Sequence, residues 1–280
     1  KSMPNVIVKN RSQVFGYYDH NMLVMSERVS DHLPKTDKYT PKQRLWYIRA
    51  KEVVISSGSI ERPLVFGNND TPGVMLSSAA KEYLKVYGVI VGKKPIIFTN
   101  NDSGYETAIE FKKNGVDPIV LDTRKDSNSE IIKEAKELNI NIKFSYVVVA
   151  AKGYKKVNSA DIAKISDDKK NISNIENIKC DCICVSGFWT PTIHLASQSG
   201  NKTKFNEEID AFVPSHSKQK EVTLGSANGV FTLEETLKTS FEKGSELSKQ
   251  ITNKENKVSI PTVVEKKSSK HDKFWCVPLP

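Results

Sequence analysis

The apolar positions in the first part of the chain alternate with polar ones, a period typical of strands. Residues 6–8 and 13–29 read as consecutive strands, with Asp19, His20 and Asn21 forming a turn inside the second stretch. Residues 44–50 and 51–58 predict two more strands, and the last ends in small residues. The chain therefore begins as a β-meander.

Further along, the apolar spacing alternates between strand and helix. The pattern predicts helices over 77–87, 104–113, 129–138 and 232–242, and strands over 95–99, 117–122, 140–150, 155–165 and 180–186. Buried strands that alternate with amphipathic helices are typical of an α/β sheet. Because the β-meander does not fit a single doubly wound sheet, we expect two nucleotide-fold units, one inserted in the other.

Composition narrows the class of protein. The 280 residues are 38% hydrophobic and 27% charged, and they contain no apolar run near the ~20 residues that a membrane span needs. The net charge of +9 comes mostly from scattered lysines without a nucleic-acid motif. We therefore expect a cytoplasmic globular protein that binds neither nucleic acid nor membrane. The chain begins without Met and closes on FWCVPLP, so we expect a fragment of a longer protein.

The cysteines and histidines do not form an obvious reactive set. Three of the four cysteines (Cys180, Cys182 and Cys184) fall in one apolar run, where they read as small buried hydrophobes rather than redox or metal-binding groups. No CxxC motif is present, and the five histidines are scattered singly. The sequence predicts no catalytic residue and no metal site.

One strand–turn–helix has the layout of a dinucleotide-binding turn. In TNNDSGYETA, Thr99 and Asn101 stand where the first two glycines of a GxGxxG turn are required, and only Gly104 remains, at the position that permits close helix–strand packing. Asp122 lies where a ribose-binding acid is expected. Side chains at Thr99 and Asn101 block close approach of the backbone. We therefore predict that this unit keeps the fold without the ligand.

Two stretches of small residues are better candidates for contact with a nucleotide. The Ser-Ser-Gly turn (Ser56, Ser57 and Gly58) ends a buried strand, and the 225–228 loop (Gly225, Ser226, Ala227 and Asn228) precedes a helix. Small side chains let the main chain come close to phosphate or ribose oxygens. Each signal is weak alone. A third stretch, VSGFWTPTIHLASQSG, contains His194, which reads as structural.

The order of these stretches resembles the alpha-subunit family of heterotetrameric sarcosine oxidases. The motifs are FGYYDHN, IRAKEVVISSGSIERPLVFGNNDTPGVMLSSAAKEYL, FTNNDSGYETA, VSGFWTPTIHLASQSG and GSANGVFTLEETL, and they cover nearly the whole chain. Alpha subunits of amino-acid and opine dehydrogenases and of hydrogen cyanide synthase share parts of the pattern, and they stay open as alternatives. So does a ligand-free module that only docks flavin subunits.

The resemblance implies a fold of two dinucleotide-binding domains of the FAD/NAD(P)-binding, Rossmann-like type, here N-terminally truncated. It implies NAD in the first unit, FAD on a beta subunit, FMN at the subunit interface and tetrahydrofolate in a further domain that this chain lacks. The implied partners are beta, gamma and delta subunits, the last with zinc. The implied reaction converts sarcosine to glycine, transfers the carbon unit to tetrahydrofolate and produces hydrogen peroxide; the fragment alone is expected to be inactive.

Carried onto this sequence, the resemblance implies that the Ser-Ser-Gly turn and the 225–228 loop contact NAD, and that the backbone of Val14 reads the adenine edge. We expect residues 1–71 and 185–249 to form the first, incomplete unit, with a small linking domain starting near 211. Residues 72–184 are expected to form the inserted unit, and residues 250–280 a linker toward the folate-binding domain.

Overall fold

The computed structural model describes residues 3–253, 259–265 and 268–278. The chain divides into two compact units, each made of two segments. Unit 1 comprises residues 1–59 and 190–264, and unit 2 comprises residues 60–189 and 265–280. These boundaries differ from the expected ones, because the expected ends of the first unit, 60–71 and 185–189, fall in unit 2.

Unit 1 begins with the predicted meander. Strands β1 (Ser12–Tyr18), β2 (Met22–Arg28) and β3 (Gln43–Arg49) pair antiparallel in that order. The turn between β1 and β2 falls on Asp19, His20 and Asn21, as predicted, and His20 and Asn21 both adopt positive φ. The predicted strand at residues 6–8 is wrong: Val6, Ile7 and Val8 are exposed and lie outside any strand.

The rest of unit 1 supplies a short parallel sheet, a hairpin and two helices. Strands β4 (Val53–Ile55) and β17 (Glu221–Thr223) pair in parallel, while β15 (Lys202–Asn206) and β16 (Ala211–His216) form an antiparallel hairpin. The helices are α4 (His194–Gln198) and α5 (Leu233–Thr252). A small core packs β1, β4 and α4 through Tyr17, Val53, Ile55 and Ala196.

Unit 2 is built on a five-stranded parallel sheet with the order β6-β13-β7-β8-β9. Its strands are β6 (Val74–Leu76), β7 (Pro95–Thr99), β8 (Ile119–Asp122), β9 (Asn141–Phe144) and β13 (Cys182–Ser186). Helices α1 (Ser77–Tyr87), α2 (Ser103–Lys113) and α3 (Glu130–Glu137) connect successive strands. Parallel neighbours joined by helices are the arrangement that the alternating pattern predicted.

The parallel sheet of unit 2 is covered on both faces. Ile97 and Val120 point into a core with Ala80 and Tyr105 of the helices. Ile96, together with its alternating neighbours, packs against the antiparallel sheet of β10 (Tyr146–Lys152), β11 (Ser159–Lys164) and β12 (Glu176–Lys179). Burial on both faces explains why these strands read as continuous apolar runs.

Two short strands, β5 (Ser59–Glu61) and β14 (Trp189–Pro191), lie where the chain passes between the units. The closing segment differs from its expected role as a linker. Phe274 and Val277 are buried in the apolar core of unit 2, so residues 268–278 are packed chain. Positions 254–258, 266–267 and 279–280 of the expected linker lie outside the described residues.

Candidate functional site

The two small-residue stretches of unit 1 lie side by side. Because β4 and β17 run parallel with Ile55 opposite Thr223, the segments that follow the two strands leave the sheet at the same edge. The Leu224 N–H donates to the Ile55 carbonyl oxygen at 2.9 Å and holds the two exits together. The Ser-Ser-Gly turn therefore adjoins the 225–228 loop at the carboxyl edge of this sheet, where α/β folds bind ligands.

Gly58 and Gly225 both adopt conformations that favour glycine. Their φ values are +77° and +65°. A Cβ on Gly58 would lie 4.0 Å from the Ser226 Oγ, whereas one on Gly225 would lie 3.3 Å from the Thr236 Cγ2. A side chain in this region of φ costs roughly 1–2 kcal/mol. The edge thus combines small side chains with a main-chain conformation that only glycine adopts easily.

A third segment holds this edge, and no pattern in the sequence predicts it. The Ser57 hydroxyl donates to the Thr192 carbonyl oxygen at 2.7 Å, and the Thr192 N–H donates to the Gly58 carbonyl oxygen at 2.9 Å. Thr192 thereby fixes the Ser-Ser-Gly turn from both sides. Its role rests on its backbone, which no side-chain pattern reveals.

The loop of residues 225–228 is a 3₁₀ turn, Gly225–Asn228, that is separate from the following helix. Ala227 is buried, while Ser226 is half-buried and Asn228 is exposed. Helix α5 begins only at Leu233, and the Thr232 side chain accepts the N–H of Glu235 in its first turn. With Glu234 and Glu235 there as well, the start of α5 is unsuited to an anion. On this side of the edge, a phosphate would therefore have to contact the 225–228 loop rather than the start of α5.

Val14 lies apart from the other proposed contacts. It is half-buried on β1 and pairs with Met25 of β2, next to a register irregularity between Val14 and Gly16. Across residues 3–253, the described hydrogen bonds and strand pairs join it to neither small-residue stretch. The structure brings together Ser56, Ser57, Gly58 and the 225–228 loop, and it leaves Val14 in the meander.

In the turn after β7 of unit 2, main-chain N–H groups donate to side chains of the same turn. The Thr99 Oγ1 accepts the Asn101 N–H at 3.2 Å, and the Asn101 Oδ1 accepts the Ser103 N–H at 2.8 Å. Both side chains are buried. Main-chain amides that hold a pyrophosphate in such folds are therefore already bonded within the turn.

Gly104 and Asp122 also have partners within unit 2. A Cβ on Gly104 would lie 2.7 Å from the Thr99 Cβ, which agrees with the predicted close packing of helix on strand. Asp122 is fully buried and accepts the Tyr105 hydroxyl at 2.7 Å and the Arg124 Nη2 at 2.8 Å. Arg124 also donates to Asp102 at 2.8 Å. The carboxylate of Asp122 serves this buried network.

The network shifts the ionisation of its members. Burial, and then the neighbouring Asp122 charge, raise the pKa of Tyr105. Burial opposes the charge on Arg124, but the hydrogen bonds and charges of Asp122 and Asp102 outweigh it and raise its pKa. Both shifts keep the Tyr105 hydroxyl protonated and Arg124 charged. Tyr105 and Arg124 therefore act as fixed hydrogen-bond donors to the buried carboxylates of this cluster.

Other chemistry is sparse over the described ranges. Cys180, Cys182 and Cys184 are buried free thiols. Among the residues that the structure describes, no group of three or more His, Cys, Asp or Glu side chains is arranged to hold a metal ion. No described helix is both long and apolar enough to cross a membrane.

Comparison with known sequences confirms the resemblance inferred from the motifs. The chain is 37% identical over 229 residues to the sarcosine oxidase subunit alpha of Rhizobium meliloti (strain 1021), and 31% identical over 230 residues to that of Corynebacterium sp. (strain U-96). These matches cover 81% and 82% of the chain but span only 22% and 24% of those relatives. No family model matches.

Solved structures confirm the fold class. The thioredoxin reductase of T. acidophilum superposes with a TM-score of 0.53 at 16% identity, covering 68% of this chain and 62% of the reductase. The flavoprotein disulfide reductase RclA of Escherichia coli gives a TM-score of 0.57 at 14% identity, covering 86% of this chain and 49% of RclA. At these identities the likeness establishes the α/β fold of FAD/NAD(P)-binding oxidoreductases alone.

Proposed function

We propose, from the similarity of this chain along four fifths of its length to sarcosine oxidase alpha subunits, that it is the NAD-binding region of such a subunit. The parent enzyme would convert sarcosine to glycine with oxygen, pass the released carbon unit to tetrahydrofolate and form hydrogen peroxide. Its FAD and FMN would lie on the beta subunit and at the subunit interface, with gamma and delta subunits completing the complex. No residue of this chain is assigned a catalytic role.

The carboxyl edge of the unit 1 sheet carries the proposal. There the Ser-Ser-Gly turn and the 225–228 loop adjoin. Gly58 and Gly225 both have positive φ, and their main chain is not covered by a side chain. This arrangement fits a dinucleotide, because ribose and phosphate oxygens need close contact with polar main chain. Bound NAD would supply a nicotinamide able to accept a hydride.

The residues of the chain would divide the task of binding. Ser56, Ser57 and Gly58 would hold one side of the dinucleotide, and the 225–228 loop would hold the other. Thr192 would keep the Ser-Ser-Gly turn in place through its two backbone bonds. Val14 would contribute backbone from β1 to the adenine, as the family resemblance implies.

A matched pair of glycine variants tests the proposal in the purified alpha subunit that contains this chain. Gly58→Ala and Gly88→Ala both place a side chain at positive φ (+77° and +66°), so both carry a similar strain. Gly88 ends α1 in unit 2, and a Cβ there meets nothing within 4 Å. NAD released by denaturation should fall in Gly58→Ala and not in Gly88→Ala, because binding weaker by roughly 1.4 kcal/mol raises the Kd about tenfold. Equal NAD in both variants would contradict the proposal, as would an alpha subunit that releases none.

A further inference from the structure

The closing segment of the described chain crosses the carboxyl edge of the unit 2 sheet. In open α/β sheets, ligands bind outside the carboxyl ends of the strands, at the point where the strand order reverses. Here β8 and β9 lie on one side of β7, and β13, although it comes later in the chain, lies on the other. The ligand crevice of this sheet is therefore expected outside the ends of β7 and β13, next to Thr99 and Ser186.

Asn100, directly after β7, binds the closing segment in both directions. The Asp272 N–H donates to the Asn100 carbonyl oxygen at 2.8 Å, and the Asn100 Nδ2 donates to the carbonyl oxygens of Asp272 and Phe274 at 2.9 and 3.2 Å. Asn100 is completely buried. This pattern of donors and acceptors recognises an extended main chain.

The neighbouring strand ends bind the same segment. After β8, the Thr123 hydroxyl donates to the Asp272 carboxylate at 2.7 Å, and the Lys169 Nζ lies 2.7 Å from the same carboxylate oxygen. After β13, the ring of Phe188 stacks on His271 with centroids 4.0 Å apart. The segment thus spans the ends of β13, β7 and β8.

A second set of contacts lies at the turn that would hold a pyrophosphate. The Asp102 carboxylate accepts the Ser269 N–H at 2.7 Å, and the Ser269 hydroxyl accepts that of Ser127 at 2.8 Å. Asp102 precedes α2, so its charge and the closing segment stand before the start of that helix. Further on, Phe274 and Val277 anchor the segment in the apolar core.

We propose that residues 268–278 are a built-in peptide ligand of unit 2, a strap that occupies its dinucleotide crevice. The crevice is specific for an extended segment of this chain. Asn100 forms hydrogen bonds with its main chain, and Thr123 and Lys169 bind the Asp272 carboxylate. Thr99 and Asn101 stand where a dinucleotide-binding turn requires glycines. Their presence agrees with the strap, because the space that a dinucleotide would need is filled by protein. This inference does not depend on NAD binding in unit 1.

Hydrogen exchange of the full 280-residue chain, read by mass spectrometry, tests the strap. The amides of Ser269, Asp272 and Val277 all donate to fixed acceptors, so they should exchange at least about a hundredfold more slowly than in an unfolded peptide. Saturating NAD should leave that protection unchanged. Exchange at the unfolded rate would overturn the proposal, and so would NAD that speeds exchange in 268–278.

A variant pair ties the protection to the crevice. Asn100→Ala should speed exchange in 268–278 about tenfold or more while the α1 amides stay protected. Asn114→Ala, which removes an exposed amide bonded to the Glu110 carbonyl oxygen, serves as the control and should change nothing there. If Asn100→Ala also deprotects α1, Lys169→Met replaces it, with the same expectation. Unchanged exchange in the strap of a folded variant would contradict the assignment.

Discussion

Gly58 and Ser226 come from stretches 168 residues apart in the sequence and meet at one edge of the unit 1 sheet, where a Cβ on Gly58 would lie 4.0 Å from the Ser226 Oγ. The parallel register of β4 and β17 produces this proximity. In unit 2, the equivalent edge is closed by side chains and by the strap. The carboxyl edges of the two parallel sheets therefore differ in what they can admit.

Close packing at Gly104 predicts opposite effects for two glycine substitutions. Gly104→Ala places a Cβ 2.7 Å from the Cβ of Thr99, which has no freedom to move within β7, so it should destabilise the protein by about 1–3 kcal/mol. Gly244→Ala, within α5 and free of neighbours, should stabilise it by about 0.5–1 kcal/mol. Urea unfolding followed by circular dichroism measures both. A Gly104→Ala protein as stable as the wild type would refute the packing argument.

The buried ion network predicts a large cost for losing its cation. Arg124→Met leaves Asp122 and Asp102 without their charge partner, and breaking a buried pair costs about 3–5 kcal/mol. Lys125→Met removes the neighbouring cation, whose pair with Asp167 is exposed, so its effect on the unfolding free energy should be far smaller than that of Arg124→Met. Equal losses of unfolding free energy in the two variants would show that the network does not stabilise unit 2.

Glu61 predicts a dependence of stability on pH. Burial raises the pKa of its carboxyl above the ordinary value, although the Ser78 N–H donates to its Oε2. Because the folded protein binds this proton more tightly than the unfolded chain does, the contribution of Glu61 to stability falls as pH rises from the unfolded toward the folded pKa. The unfolding free energy of Glu61→Gln minus that of the wild type should therefore grow with pH. A difference independent of pH would contradict this.

Thiol reactivity should separate one cysteine from the other three. Cys276 is exposed, whereas burial raises the pKa of Cys180 to about 12, and the Cys182 contact followed by burial raises that of Cys184. An aromatic disulfide reagent should therefore modify one thiol quickly in the native chain and four after denaturation. Rapid modification of two or more native thiols would show that at least one of the buried cysteines is accessible.

The sequence predicted the elements of unit 2 well where burial and periodicity agree. Helix α1 and strand β7 have the expected bounds. Gly88 ends the helix and Pro95 begins the strand, and both residue types interrupt regular structure. The expected strand at 140–150 is split into β9 and β10 by Ser145, whose φ of +57° no periodicity predicts. The last helix continues through Gly244 to Thr252, ten residues beyond its expected end.

The sequence predicted the small-residue stretches as candidate contacts, but it could not predict what surrounds them. Thr192 acts through its backbone, so its side chain gives no clue. The sequence predicts a linker over residues 250–280, whereas residues 268–278 pack against unit 2. This segment bonds to Asn100, more than 170 residues earlier in the chain, and only tertiary structure brings the two together.

The position of NAD in an experimental structure of the alpha subunit containing this chain tests the central claim most directly. The account predicts the dinucleotide along Ser56, Ser57, Gly58 and Gly225–Asn228 at the edge of β4 and β17, with residues 268–278 still seated on unit 2. A dinucleotide lying across the turn from Thr99 to Gly104, with the strap displaced, would contradict it.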